Sequence, residues 1–363
     1  RLLIKNIITN NSSAHHVAFP NTGLLKEINN NLNSPNKIIH LHWLGDNTIS
    51  IEEVGKLKGP VFWTLHDQWP FCGAEHYTHP TINKDGIQIE DCRYKQNYSL
   101  ESRSCFEKGF DLNRWTWKRK KKSWKKPINI IATSNWLFDC AKSSSLMKNW
   151  PIYLIPYPIN TKTWKPINKL NAKKILGIDT KKKVILFGAV GGTKDSRKGA
   201  SLLKEALKIL SDSYYKDIEN SIQILVFGEN SDKKFINNFP VNFLGSFSDD
   251  LSLRVIYSAA DVMVVPSIQE AFGQTASEAH ACGTPVVAFK IGGLIDIVSH
   301  QKTGYLADPF DPKLLAYGIK WTIENEERNK RLSLQARLKA EEYWDSKIIA
   351  KKYVDVYNSA FNA

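Results

Sequence analysis

The chain has 363 residues, a formal net charge of +14, 42% hydrophobic and 24% charged residues. That is ordinary globular usage, consistent with a soluble enzyme and long enough for two domains with real cores. No apolar run approaches the ~18 residues of a membrane helix, and five scattered cysteines (Cys72, Cys92, Cys105, Cys140, Cys282) argue against a disulfide framework and for a reducing cytoplasm.

In chain order, the segment Asn29-Asn30-Asn31-Leu32-Asn33-Ser34 is polar and reads as loop. Residues 38–44 read as a strand. Residues 61–65 read as a second, ended by His66-Asp67, and residues 128–133 as a third. A helical stretch over 135–143 follows, with Ser134 as its cap. Residues 152–155 lead into Pro156-Tyr157-Pro158, a proline-rich joint. Beyond it, 183–188 and 222–228 read as strands joined by a helix over 199–210. Residues 261–266 read as a short buried strand stopped by its proline. The helix after that strand ends at Cys282-Gly283-Thr284-Pro285, with glycine just past its end, and 286–289 are the next strand. From Trp344 the chain reads as helical to its end. Strands alternating with helices argue for parallel, doubly wound sheets.

The stretch from Pro266 to Ala279 carries most of the chemistry. Glu270 and Glu278, with seven residues between them, flank a small loop that opens a helix. The loop lies at the carboxyl end of a strand, where open α/β sheets bind ligands. The helix start near Gly273, Gln274 and Thr275 offers backbone N–H groups and a partial positive charge, which suits a phosphate. Glu278, on the first turn or so, can accept two hydroxyl hydrogen bonds, as a ribose diol would offer. Glu270 can do the same for a sugar. On spacing alone, two solvated glutamates at a helix start are the commoner reading.

A second phosphate candidate is Gly188-Ala189-Val190-Gly191-Gly192, followed by Lys194, Arg197 and Lys198. Glycine lets the backbone approach an anion, but a solvated turn fits the same pattern, and the run is neither GxGxxG nor a Walker loop. The charge excess is partly local. Arg114, Lys118, Arg119, Lys120, Lys121, Lys122, Lys125 and Lys126 lie in one segment without acids, and Trp117 and Trp124 share a helical face. A solvated helix face, contact with anionic lipid and contact with nucleic acid are open. The last ranks lowest, because no nucleic-acid module accompanies the charge. Cys72, His76, Cys92 and Cys105 lack a CxxC pair, so no metal site is expected.

The Glu270–Glu278 stretch closely resembles the donor site of retaining glycosyltransferases of family four. Gly292-Gly293-Leu294-Ile295-Asp296-Ile297-Val298 and Thr303-Gly304-Tyr305-Leu306 match the same family in order and spacing. The resemblance implies the α/β GT-B fold, two Rossmann-like domains with parallel sheets and a cleft between them. It divides the chain into residues 1–160, completed by a returning helix over 345–363, and residues 161–344, which bind the nucleotide sugar. It implies that the family's first strand and glycine-rich loop, unmatched before Ile38, lie upstream. Lys198-Gly199 match the family's diphosphate-holding pair, and Ala189 stands where an arginine is usual, so Lys194 or Arg197 is expected to replace it.

By the same resemblance, Phe272, Gly273, Gln274, Thr275 and Glu278 bind the donor, and Lys198 and Glu270 serve catalysis with His66. The segments around Trp63–Tyr77 and Asp111–Trp117 resemble a branch of bacterial cell-surface polysaccharide transferases, which places Asp67, Glu75 and His76 near an acceptor. The implied reaction transfers a sugar with retention from a UDP- or GDP-sugar to a glycan or lipid-linked acceptor. It needs no metal and no cofactor besides the co-substrate, and it takes place in the cytoplasm, possible contact with the inner membrane face included. A nucleotide-sugar epimerase and a non-catalytic sugar-nucleotide-binding subunit are the alternatives.

Overall fold

The computed structural model of the chain describes residues 16–19, 23–31, 37–45, 48–78, 81–82, 88–89, 93–104, 107–188, 195–214 and 221–361. The chain divides into two compact units, one of residues 1–155 with 353–363 and one of residues 156–352.

In the first unit, α1 (Leu24–Asn31) precedes β1 (Ile39–Leu41), α2 (Ile51–Val54), β2 (Val61–Thr64), the short pair β3 (Thr81–Ile82) and β4 (Gln88–Ile89), and α3 (Leu112–Ser123). Then come β5 (Asn129–Ala132), α4 (Asn135–Ser143) and β6 (Ile152–Leu154). Asn29–Asn31 are therefore the end of a helix rather than loop. The strand expected over 38–44 pairs only at Ile39–Leu41. Four strands form a parallel sheet in the order β1-β2-β5-β6. Ser134 caps α4 by accepting from the Leu137 amide, as its residue type leads one to expect.

The second unit runs through α5 (Lys169–Ile175), β7 (Lys183–Gly188), α6 (Ala200–Tyr214), β8 (Ile222–Phe227), β9 (Phe235–Ile236), β10 (Phe239–Phe243) and α7 (Asp250–Ala259). It continues through β11 (Val262–Val265), α8 (Gln274–Ala281), β12 (Val286–Phe289), α9 (Leu294–Ile297), β13 (Gly304–Ala307), α10 (Pro312–Ile323), α11 (Glu326–Trp344) and α12 (Ser346–Phe361), whose last turns cluster with the first unit. Its sheet has the order β13-β12-β11-β7-β8-β10-β9, parallel except for β9. Both faces are buried, which is why these strands read as continuous apolar runs. Val184, Leu186, Met263, Val265, Val286 and Ala288 pack on one face, and Ile185, Phe187, Val262, Val264, Val287 and Phe289 on the other. Each buried Val, Leu, Ile, Phe or Met among them stabilises the fold by about 1.5–3 kcal/mol.

The strand order decides where a ligand can sit. From β7 the chain moves outward through β8 to β10, then returns to β11 on the other side of β7 and continues to β13. The reversal between β7 and β11 is a topological switch point, and the loops leaving those two strands diverge around a crevice.

Candidate active site

The loops after β7 and β11 hold each other. The Ile268 amide donates to the Arg197 carbonyl at 2.8 Å. Gly199 has φ +69°, and a Cβ there would stand 1.8 Å from the Pro266 carbonyl oxygen. Only glycine allows the two loops to approach so closely. The contact brings Lys198 Nζ to 2.8 Å from Glu270 Oε2, which also accepts from the Ser267 hydroxyl at 3.3 Å. A cation and an anion from opposite sides of the switch point are thus neutralised against each other while no substrate intervenes.

The Glu270 loop is seated from below by the glycine pair of the Gly292–Val298 motif. The Gly293 amide donates to the Glu270 carbonyl at 2.9 Å, and a Cβ at Gly292 would lie 2.2 Å from that oxygen. Gly273 begins α8 with φ +104°, and no side chain caps the helix. The anion-binding expectation for Gly273, Gln274 and Thr275 falls on this uncapped start.

Glu278 lies on the second turn of α8. Its Oε2 accepts from the Tyr257 hydroxyl at 2.9 Å and its Oε1 from the Gln274 side-chain amide at 3.0 Å. Burial pushes its carboxyl up to about 7, against the pull of those two hydrogen bonds. Burial and the neighbouring carboxyl also raise the Tyr257 hydroxyl well above its ordinary value. Tyr257 and Ser267 were not legible in advance, because their nearness to the glutamates follows from packing and not from spacing.

One expectation changes. Phe272 does not offer its ring to a ligand. The ring is buried, edge-on to Tyr157 at 5.0 Å, so Tyr157 packs beneath the site loop. Arg197 pairs with its neighbour Asp195 at 2.8 Å. Lys194 and the glycine run 189–192 lie outside the described residues, as do Cys92 and Cys105. Among the described residues no group of His, Cys, Asp and Glu side chains is arranged to hold a metal.

In the first unit, His66 leaves the end of β2 half-buried. Its Nε2 lies 3.1 Å from Nδ1 of His42, a residue the sequence reading passed over. Burial holds both rings below the ordinary histidine value. One ring therefore donates and the other accepts, so each orients its partner. Asp67 accepts from the Trp69 amide at 2.9 Å and pairs with His76 Nδ1 at 2.6 Å. These side chains gather at the carboxyl ends of β1 and β2.

Glu75 does not join them. It is buried, bonded to the Tyr98 hydroxyl, and burial pushes its carboxyl up. It belongs to a core network with Lys120, whose ammonium donates to the carbonyls of Trp69, Cys72 and Gly73. The basic segment is thereby divided. Trp117, Trp124 and Lys120 are buried, and Arg119 makes two hydrogen bonds to Glu52 at 2.8 and 2.7 Å. Lys118, Lys121, Lys122, Lys125 and Lys126 remain exposed. The tryptophans are core, so the membrane reading loses its aromatic part and keeps only the lysines.

Residues 168–339 match the family model described as glycosyl transferases group 1. The match falls within the second unit. The D-inositol 3-phosphate glycosyltransferase of Corynebacterium urealyticum is 32% identical over 203 residues, 52% of this chain and 46% of the relative. The chain spans about half the length of the curated relatives it matches. Among solved structures, sucrose-phosphate synthase from Thermosynechococcus elongatus superposes with a TM-score of 0.67 at 22% identity, covering 95% of this chain and 80% of that one. Anabaena HepE, solved in complex with UDP-glucose, gives 0.57 at 18%, covering 83% and 72%. The fold is GT-B, with two parallel α/β sheets, as the sequence resemblance implied.

Proposed function

We propose that the protein is a retaining glycosyltransferase that moves a sugar from a nucleotide-diphosphate sugar to a glycan or lipid-linked acceptor. The observation that carries the reading is the Lys198–Glu270 pair at the switch point of the unit that matches the group 1 model, beside the uncapped start of α8. A donor diphosphate entering the crevice takes Lys198 as its counter-ion and the α8 amides as hydrogen-bond donors. Glu270 is thereby released to accept the donor-sugar hydroxyls. Glu278, its oxygens already fixed by Tyr257 and Gln274, accepts the ribose diol.

The chemistry is departure of the diphosphate. Lys198 and the α8 amides stabilise charge that grows as the glycosidic bond breaks, so they act mainly on the transition state. His66, kept neutral by burial and oriented by His42, offers a hydrogen bond to the donor sugar. With same-face attack, the departing phosphate oxygen takes the acceptor proton and retention follows. In this reading no metal is required, because lysine and backbone N–H groups carry its electrostatic role. Arg197 and Lys194 are the further cations proposed for the diphosphate, and Asp67 and His76 the proposed acceptor contacts. No described helix is long and apolar enough to cross a membrane. The exposed lysines of α3 and of the turn after it are the surface proposed to meet anionic lipid.

The test is thermal stabilisation across UDP- and GDP-sugars, beginning with UDP-glucose, followed by product analysis. Stabilisation with formation of a new glycoside of unchanged anomeric configuration is expected. Free nucleotide with an epimerised sugar and no glycoside would assign epimerase chemistry instead. Binding without turnover would assign a sugar-nucleotide-binding subunit.

A further inference from the structure

Trp43 is the one exposed tryptophan of the eleven in the chain, at 53% of full exposure. Exposing an indole forfeits apolar burial, so its surroundings bear on what it is for. It follows β1, where the strand ends meet. Its ring lies across Gly45, close enough that a Cβ there would overlap the indole at 1.9 Å. Gly45 thus gives the ring a flat seat. The indole also lies near the His76 ring, 6.3 Å between centroids and 31° between planes.

Beside the ring is a pocket of about 10 Å³, lined among others by His16, Gly45, His66, Asp67 and His76. That is about the room of one water or one hydroxyl. The His16 Nε2 atom is buried and has no hydrogen-bond partner among the described residues. His76 Nδ1 is bonded to Asp67, and its Nε2 is a second hydrogen-bonding nitrogen of the pocket wall. The pocket therefore combines a hydroxyl-sized space, hydrogen-bonding nitrogens and an aromatic wall. Among the described residues no lysine or arginine lines it. Lys120, the nearest buried cation of this core, spends its ammonium protons on three backbone carbonyls.

We infer that this is a subsite for a neutral pyranoside, the acceptor sugar, with its apolar face on Trp43 and one hydroxyl in the pocket against His16 and His76. A pyranose ring offers such a face where its axial C–H bonds align, and these polarised hydrogens suit the negative face of an indole. A phosphate-bearing acceptor head would find a carboxylate and no fixed cation. The acceptor role rests on the transferase reading, whereas the sugar site stands on the first unit alone.

Saturation-transfer NMR on the full chain decides it, with methyl glucoside, methyl galactoside and methyl N-acetylglucosaminide against myo-inositol phosphate. At least one neutral glycoside is expected to receive saturation on its axial ring protons. Trp43→Ala should weaken that binding by about tenfold. Trp43→Tyr should restore most of it. Gly45→Val, which keeps the indole but removes its seat, should weaken it as Trp43→Ala does. Absence of neutral glycoside binding, equal binding by Trp43→Ala, or preference for the phosphate compound overturns the inference. Calorimetry with UDP-glucose reports separately on the second unit. Glycoside binding without binding of any UDP- or GDP-sugar refutes the transferase reading and supports the sugar site, and the reverse refutes the sugar site alone.

Discussion

The Glu278 carboxyl ties donor affinity to pH. Burial raises it from 4.5 to about 7, so the folded chain binds that proton more tightly than the unfolded chain. The stabilisation is fully present below pH 4.5 and is lost as pH rises through 7, about 3 kcal/mol in all. Ribose hydroxyls reverse the balance, because they donate to the ionised carboxylate. A donor whose binding restores the ordinary carboxyl value must expel the proton. Affinity should then rise about tenfold per pH unit up to roughly pH 7 and level off, with a ceiling of a few hundredfold. UDP-glucose suits the measurement, since its diphosphate diester does not titrate in this range. Calorimetry at pH 5.5, 6, 7 and 8, each in two buffers of different ionisation enthalpy, gives affinity and proton release together. Wild type should release up to one proton near pH 6. Glu278→Gln should bind more weakly, release none and show no slope. Flat wild-type affinity without proton release would refute the reasoning, and so would an unchanged slope in Glu278→Gln.

The same charge predicts that Glu278→Gln gains stability relative to wild type as pH rises from 4.5 to 7.5, readable in urea midpoints. Lys198→Ala should lower kcat by roughly a hundredfold and donor affinity by much less, and equal losses in steady-state assays would move its role from leaving group to ground state. Gly199→Ala should cost about 2 kcal/mol or more in denaturant unfolding, because φ +69° and the Pro266 carbonyl 1.8 Å away both oppose a Cβ. If Lys118, Lys121, Lys122, Lys125 and Lys126 meet a membrane, co-sedimentation should require anionic vesicles and fade with salt, by about 1 kcal/mol per lysine, and equal binding to neutral vesicles would count against it.

The strand–helix alternation was legible because apolar runs, proline stops and caps are local signals. Val262–Val265 and Val286–Phe289 read as buried strands before any partner was known, and Gly283 marked the helix end. The loop from Glu270 to Glu278 was legible for the same reason, since a strand end, a glycine and a helix start are consecutive in the chain. Direction of packing was not legible. Trp117, Trp124 and Lys120 looked like a surface stripe and are core, and Phe272 looked like a ligand contact and packs on Tyr157. A helical period says which residues share a face, not which face meets solvent.

The sequence by itself determined which residues could carry the chemistry. Tertiary structure decided which of them meet. Lys198 and Glu270 are joined because β11 returns to the side of β7, Glu278 is enclosed because α7 brings Tyr257 to it, and His42 orients His66 because β1 lies beside β2. Each is a contact between segments far apart in the chain. The free energy that makes it belongs to the packed sheet and its burial, and leaves no trace in the local run of residues.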